Sequence, residues 1–124
     1  MTDSELLARA DAIAVRAYAP YSSFNVGCAV LMSDGAVVEG VNVENAAYPL
    51  GVCAERTAFS RAIVEGYRPG DFAVAAITAS PCGGCRQWLA EMQVERVVFR
   101  NGGRLVRMTV DELLPEPFEA GGLA

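Results

Sequence analysis

Cys53, Glu55, Cys82 and Cys85 are the residues of this sequence that could do chemistry together. Cys53 begins a predicted helix, with Glu55 two residues later. Cys82-Gly83-Gly84-Cys85 follows Pro81 and turns into the next helix. The glycines let the backbone wrap closely around an ion. Three thiolates suit a tetrahedral zinc with one position left for water, the pattern of a catalytic site. Glu55, spaced as it is from a helix-starting cysteine, has its carboxylate near that position and could accept a proton there. On its own, a glutamate in a first helical turn is only a favourable partner of the helix dipole. The three cysteines are what raise this one above that.

Other readings of the cysteines are open. Cys28 could close a four-cysteine structural zinc knot. It lies, however, in the apolar run 26–32, where a small buried residue is expected. Cys82 and Cys85 could form a thioredoxin-like redox pair, which gives Cys53 and Glu55 no role. An even count could mean two disulfides, which a reducing compartment disfavours.

Composition narrows the chemistry further. Among 124 residues there is no histidine, and all ten positive charges are arginines. Imidazole bases, Ser-His and Cys-His pairs, Schiff-base lysines and P-loop lysines are all excluded. A zinc site must then be built from cysteine and carboxylate. Three thiolates and one zinc leave a net negative charge, so something positive must offset it. Two helix N-termini would help, and Arg56 could hydrogen-bond the thiolates. The alternative for Arg56 is a solvated arginine on the helix surface. With 15 acids and a net charge of −5, no basic stripe exists, which argues against a nucleic-acid partner. No apolar run approaches the roughly 20 residues of a membrane span. The N-terminus, Met-Thr-Asp-Ser-Glu, is the opposite of a signal peptide. The expectation is a cytoplasmic protein whose partner is a neutral small molecule or another protein.

The elements that must position these residues follow from periodicity. One domain, 1–124, is expected. Residues 3–17 place Leu6, Leu7, Ala10, Ile13, Ala14 and Ala17 on one helical stripe, with Asp3 or Ser4 as N-cap. Two apolar runs, 26–32 and 36–41, flank an Asp-Gly step and predict a hairpin. Residues 42–52 read as a loop, 53–65 as a helix, 72–78 as a buried strand, 80–84 as a tight turn and 85–92 as a helix. A second hairpin spans 95–100 and 104–108, followed by a helical turn at 111–114 and a loosely ordered Gly-rich tail. The order α-β-β-α-β-α-β-β fits an α/β fold with one mixed five-stranded sheet covered by helices.

These residues resemble a small homotetrameric zinc-dependent cytidine deaminase. The resemblance runs through Ala19-Pro20-Tyr21-Ser22-Ser23-Phe24-Asn25-Val26-Gly27, Asn42-Val43-Glu44-Asn45-Ala46-Ala47-Tyr48, Cys53-Ala54-Glu55-Arg56 and Pro81-Cys82-Gly83-Gly84-Cys85-Arg86-Gln87. It ends near Leu113-Leu114-Pro115 and so covers nearly the whole chain. It implies the three-layer cytidine deaminase-like fold and hydrolytic deamination of cytidine and deoxycytidine, with one zinc per chain. Cys53, Cys82 and Cys85 would hold zinc. Glu55 would shuttle protons, as in zinc deaminases generally. Phe24 would pack against the pyrimidine ring, Asn42 and Glu44 would bind the ribose hydroxyls, and the Ala54 backbone would meet the base edge. Ala46, Tyr48 and Phe118 would reach neighbouring subunits' sites in a homotetramer.

Taken singly, these residues have plainer readings: Phe24 as core, Asn42 and Asn45 as turn formers, Tyr48 as loop packing. The sequence departs from the family pattern in three places. The stretch 79–81 is several residues shorter than usual, Cys28 replaces a usual alanine, and Gly84 is less usual. A deaminase of blasticidin S or a modified nucleoside fits the same cysteine motif. A structural zinc-binding or RNA-binding protein is the reading from another class.

Overall fold

The computed structural model describes residues 1–123. The chain runs through α1 (Asp3–Ala14), β1 (Gly27–Met32), β2 (Val37–Val41), a 3₁₀ turn (Tyr48–Leu50) and α2 (Ala54–Val64). It continues through β3 (Phe72–Ile77), α3 (Gly83–Glu91), β4 (Arg96–Asn101), β5 (Arg104–Met108), α4 (Val110–Leu113) and a last 3₁₀ turn (Ala120–Leu123). The five strands form one sheet in the order β2-β1-β3-β4-β5. Only β3 and β4 are parallel, and α3 is the crossover between them.

Strand periodicity explains the layers. Successive side chains point to opposite faces, so Cys28, Val30 and Met32 of β1 join one core and Ala29 and Leu31 the other. The first core packs α2 and α3 on the sheet through Ala54, Ala58, Phe59, Ala62 and Leu89. The second packs α1 through Leu6, Leu7 and Ala10 against Ala29, Val74, Ala76 and Val98. The result is the expected helix–sheet–helix sandwich. Cys28 is fully buried in the first core, as its apolar run indicates. Among the described residues, no helix is long and apolar enough to cross a membrane.

Several boundaries differ from expectation. Helix α1 is capped by Thr2, whose side chain accepts from Glu5 N at 3.1 Å, not by Asp3 or Ser4. It stops at Ala14 instead of residue 17. Tyr18 N donates to Asn42 O and Glu44 N to Tyr18 O, and that extended pairing requires the chain to leave the helix first. Helix α3 starts at Gly83, so the two glycines of the expected tight turn are helical, with Cys82 as the N-cap. The loop 42–52 contains the Tyr48–Leu50 turn and a Val43–Val52 bridge. The tail is tied down at Phe118, whose carbonyl accepts from Gln87 Nε2 at 2.7 Å.

Candidate active site

The site forms where the N-termini of α2 and α3 meet beyond the end of β3. Cys53 is the N-cap residue of α2 and Cys82 that of α3. Cys85 lies one turn into α3, and its N–H donates to Cys82 Sγ at 3.4 Å. The three sulfurs all lie within 4.8 Å of one another, with Cys53 Sγ and Cys82 Sγ 3.9 Å apart. A tetrahedron with Zn–S bonds of about 2.3 Å has S···S edges of about 3.8 Å. The cluster therefore fits a zinc ion. Cys28 lies outside it, which removes the four-cysteine knot.

The electrostatics also ask for a cation. Burial pushes the Cys53 and Cys85 thiols up, and the negative charge of Glu55 adds to the rise. Burial opposes ionisation of Cys82 as well, but the Cys85 amide and the neighbouring thiols outweigh it and hold this thiol low. Arg56 is the compensating charge within the protein. Its guanidinium is held above its ordinary value first by a hydrogen bond with Cys85. Its Nε is buried without a hydrogen-bond partner, so Arg56 is not a solvated surface residue. The side chain occupies space that Gly84 leaves free: a Cβ on residue 84 would lie 2.3 Å from Arg56 Nη2.

Glu55 is the one buried charged residue among those described, at 3% exposure. Burial raises its pKa above the usual carboxylate range, against the lowering effects of its own backbone amide, Cys85 and Arg56. A carboxyl poised in this way can both take and return a proton.

A cavity of about 330 Å³ opens beside the cluster, a size suited to a small-molecule ligand. Its lining includes Phe24, Asn42, Glu44, Ala54, Glu55 and Cys82. The cavity thus brings the Glu55 carboxyl together with Cys53 and Cys82 of the three-sulfur cluster. The model of the cytidine and deoxycytidylate deaminase zinc-binding region matches residues 1–101.

The chain belongs to this zinc deaminase family.

Curated relatives of the deaminase include the cytidine deaminase of Halalkalibacterium halodurans, 46% identical over 113 residues and 84% of each chain. That of Sporosarcina psychrophila is 39% identical, covering 100% of this chain and 96% of its own. Among solved structures, the cytidine deaminase from Burkholderia pseudomallei superposes with a TM-score of 0.89 at 44% identity, covering 95% of this chain and 100% of that one. The cyanophage S-TIM5 dCMP deaminase, with a TM-score of 0.68 at 20% identity over 80% of this chain and 82% of that one, shares the fold.

Within this deaminase, the expected sugar readers are already engaged. Asn42 Oδ1 accepts from Val26 N, and Asn42 Nδ2 donates to Phe24 O, both at 2.8 Å. Glu44 Oε1 accepts from Tyr21 N and Ser22 N at 2.9 and 3.1 Å, and the Ser22 hydroxyl donates to Glu44 Oε2. Phe24 is exposed on the cavity wall, not in the core.

Tyr48, expected at a neighbouring site, stands 74% exposed on the rim of its own chain's cavity, edge-to-face with Tyr21 at 5.6 Å. Ala46 is exposed on the loop beside it. Phe118 lies apart, over a separate cavity with Ala90, Glu91 and Gln93. Arg86 braces the cysteine loop. It donates to Pro81 O and Leu113 O, each at 3.0 Å. Ser22 and Arg86 carried no functional signal in the sequence beyond their place in motifs.

Proposed function

We infer that this protein catalyses the hydrolytic deamination of cytidine and deoxycytidine to uridine and deoxyuridine, with release of ammonia. The observation that carries this reading is the buried Glu55 carboxyl beside the three-sulfur cluster at the end of a nucleoside-sized cavity.

Cys53, Cys82 and Cys85 hold the zinc. When bound, zinc lowers the pKa of a water so that a nucleophile exists at neutral pH. Glu55 takes the proton that the water gives up and passes it to the ring nitrogen. The water oxygen adds to C4 as that proton reaches the ring nitrogen; Glu55 then moves the second proton of that oxygen to the amine, which leaves as ammonia as the C4–N bond breaks and the C4 carbonyl forms. Phe24 packs on the pyrimidine and the Ala54 backbone meets the base edge. Asn42 and Glu44 face the ribose end, and the Glu44 carboxylate disfavours a 5′-phosphate. Arg56 offsets the thiolate charge.

The protein works as one domain, 1–124, in a cytoplasmic homotetramer, where Ala46, Tyr48 and Phe118 complete neighbouring sites. The exposed Tyr48, Leu50 and Phe118, at 74%, 68% and 63% exposure, support such contacts. Sizing chromatography is expected to return four chains per particle.

A panel of cytidine, deoxycytidine, cytosine, CMP and blasticidin S, followed by ultraviolet absorbance and ammonia release, tests the reading. Turnover of the two nucleosides is expected. Turnover of the antibiotic or the nucleotide in their place contradicts it.

A further inference from the structure

Ser22 sits between two residues that line the cavity. Its hydroxyl donates its proton to Glu44 Oε2, while its oxygen accepts the N–H of Phe24 at 3.0 Å. Glu44 Oε1 meanwhile accepts two backbone amides, those of Tyr21 and Ser22. A carboxylate has about four lone-pair sites. Three are taken within the chain, and the one left is on Oε2, the oxygen that Ser22 holds. Phe24 is fixed at its other backbone group as well, since its carbonyl accepts from Asn42. One short segment, 21–24, thus ties the sugar-facing carboxylate to the aromatic wall. Hydrogen bonds to a charged group are the stronger kind, and the Ser22 hydroxyl is the leading cause that keeps the Glu44 carboxyl below its ordinary range.

We propose that Ser22 is a positioning residue for sugar recognition: its hydroxyl aims the free lone pair of Glu44 at the ribose hydroxyls and thereby sets the preference for substrates that carry them. This rests on the reading of Glu44 as a ribose ligand. Ser22 itself touches no reacting atom, so its effect falls on KM and leaves kcat near that of the parent. It is also specific to the sugar. A substrate without the 2′ and 3′ hydroxyls gains nothing from an oriented Glu44, whereas any general disturbance of Phe24 or of the fold weakens both kinds of ligand alike.

The test measures kcat and KM for cytidine, and the inhibition constant of 2′,3′-dideoxycytidine as its competitor, on the zinc-loaded protein. Three variants are compared with the parent: Ser22→Ala, Ser22→Thr and Glu44→Gln. Ser22→Ala is expected to raise the cytidine KM by about five- to thirty-fold, with kcat changed less than about twofold and the dideoxycytidine constant raised several-fold less than the cytidine KM, since the Phe24 N–H loses its acceptor in both complexes. Ser22→Thr keeps a hydroxyl and is expected to restore the cytidine KM. Equal weakening of both ligands in Ser22→Ala, or no change in either, overturns the proposal. Glu44→Gln separates the two levels. If it leaves the preference for cytidine over dideoxycytidine intact, Glu44 does not read the sugar and the proposal falls with that premise. If it abolishes the preference while Ser22→Ala preserves it, the premise stands and the role of Ser22 alone is refuted. Thermal unfolding of each variant within a few degrees of the parent shows that the comparison concerns folded protein.

Discussion

Gly40 and Ala58 meet backbone to backbone. A Cβ on Gly40 would lie 2.4 Å from Ala58 N and 2.6 Å from Ala54 O. Gly40 pairs with Cys28 in the sheet, so this contact seats the first turns of α2 directly on the β1–β2 hairpin. Those turns carry Glu55 and Arg56, with Cys53 as the cap. The proximity of the metal centre to the sheet therefore depends on a missing side chain.

Gly40→Ala should destabilise the protein by about 1–3 kcal/mol, because the atoms in the way are backbone and cannot swing aside. Urea unfolding measures the loss. The same variant should retain zinc less well against a chelator, because α2 must shift outward and take Cys53 with it. Unchanged stability would show that α2 can move freely on the sheet.

Arg56→Ala should weaken zinc retention by at least about tenfold in a competition with a chromophoric chelator. The guanidinium is the compensating charge held by Cys85, and removing it leaves a buried excess of negative charge. Equal retention by the variant and its parent would assign charge compensation to the helix N-termini alone.

Asp3 supplies a pH dependence with a definite sign. Arg96 at 2.5 Å first, against an opposing effect of burial, and then Arg107 at 2.9 Å hold its carboxyl below the ordinary value. A carboxyl depressed in the folded state contributes stability above its unfolded pKa and loses it as pH falls through the folded value. The contribution is thus complete at neutral pH and starts to be lost below about pH 4, as pH falls toward the folded value. Asp3→Asn should cost no more than about 1 kcal/mol at pH 7, since both arginines are half exposed. The gap between the two proteins should close in acid. A gap that does not narrow as pH falls below about 4 would trace the effect to packing instead.

The metal centre was legible in the sequence because its signal is local. Cys53 and Glu55 share one helix start and Cys82 and Cys85 another, and the absence of histidine confines zinc ligands to cysteine and carboxylate. The layers were legible for a similar reason, since alternation along residues 26–32 assigns Cys28 and Ala29 to opposite faces. The proposed sugar end was not legible in the same way. Asn42 and Glu44 stand in a loop whose partners lie some twenty residues back in the chain, and spacing says nothing about which loop folds against which. Their side chains hold the segment that carries Phe24, a structural duty that the motif does not disclose. Gly83 and Gly84 misled for a different reason. Glycine usually marks a turn, but here Cys82 caps the helix and Gly84 makes room for Arg56.

In the proposed mechanism Glu55 carries the protons of a zinc-dependent deamination without itself holding the metal. Its most direct test is a paired measurement on the parent and Glu55→Gln: zinc per chain by atomic absorption, and the rate of cytidine loss by ultraviolet absorbance. The expected result is about one zinc per chain in both proteins, with the variant slower by at least about 10²–10⁴-fold. A variant that keeps its zinc and its rate would contradict the claim outright.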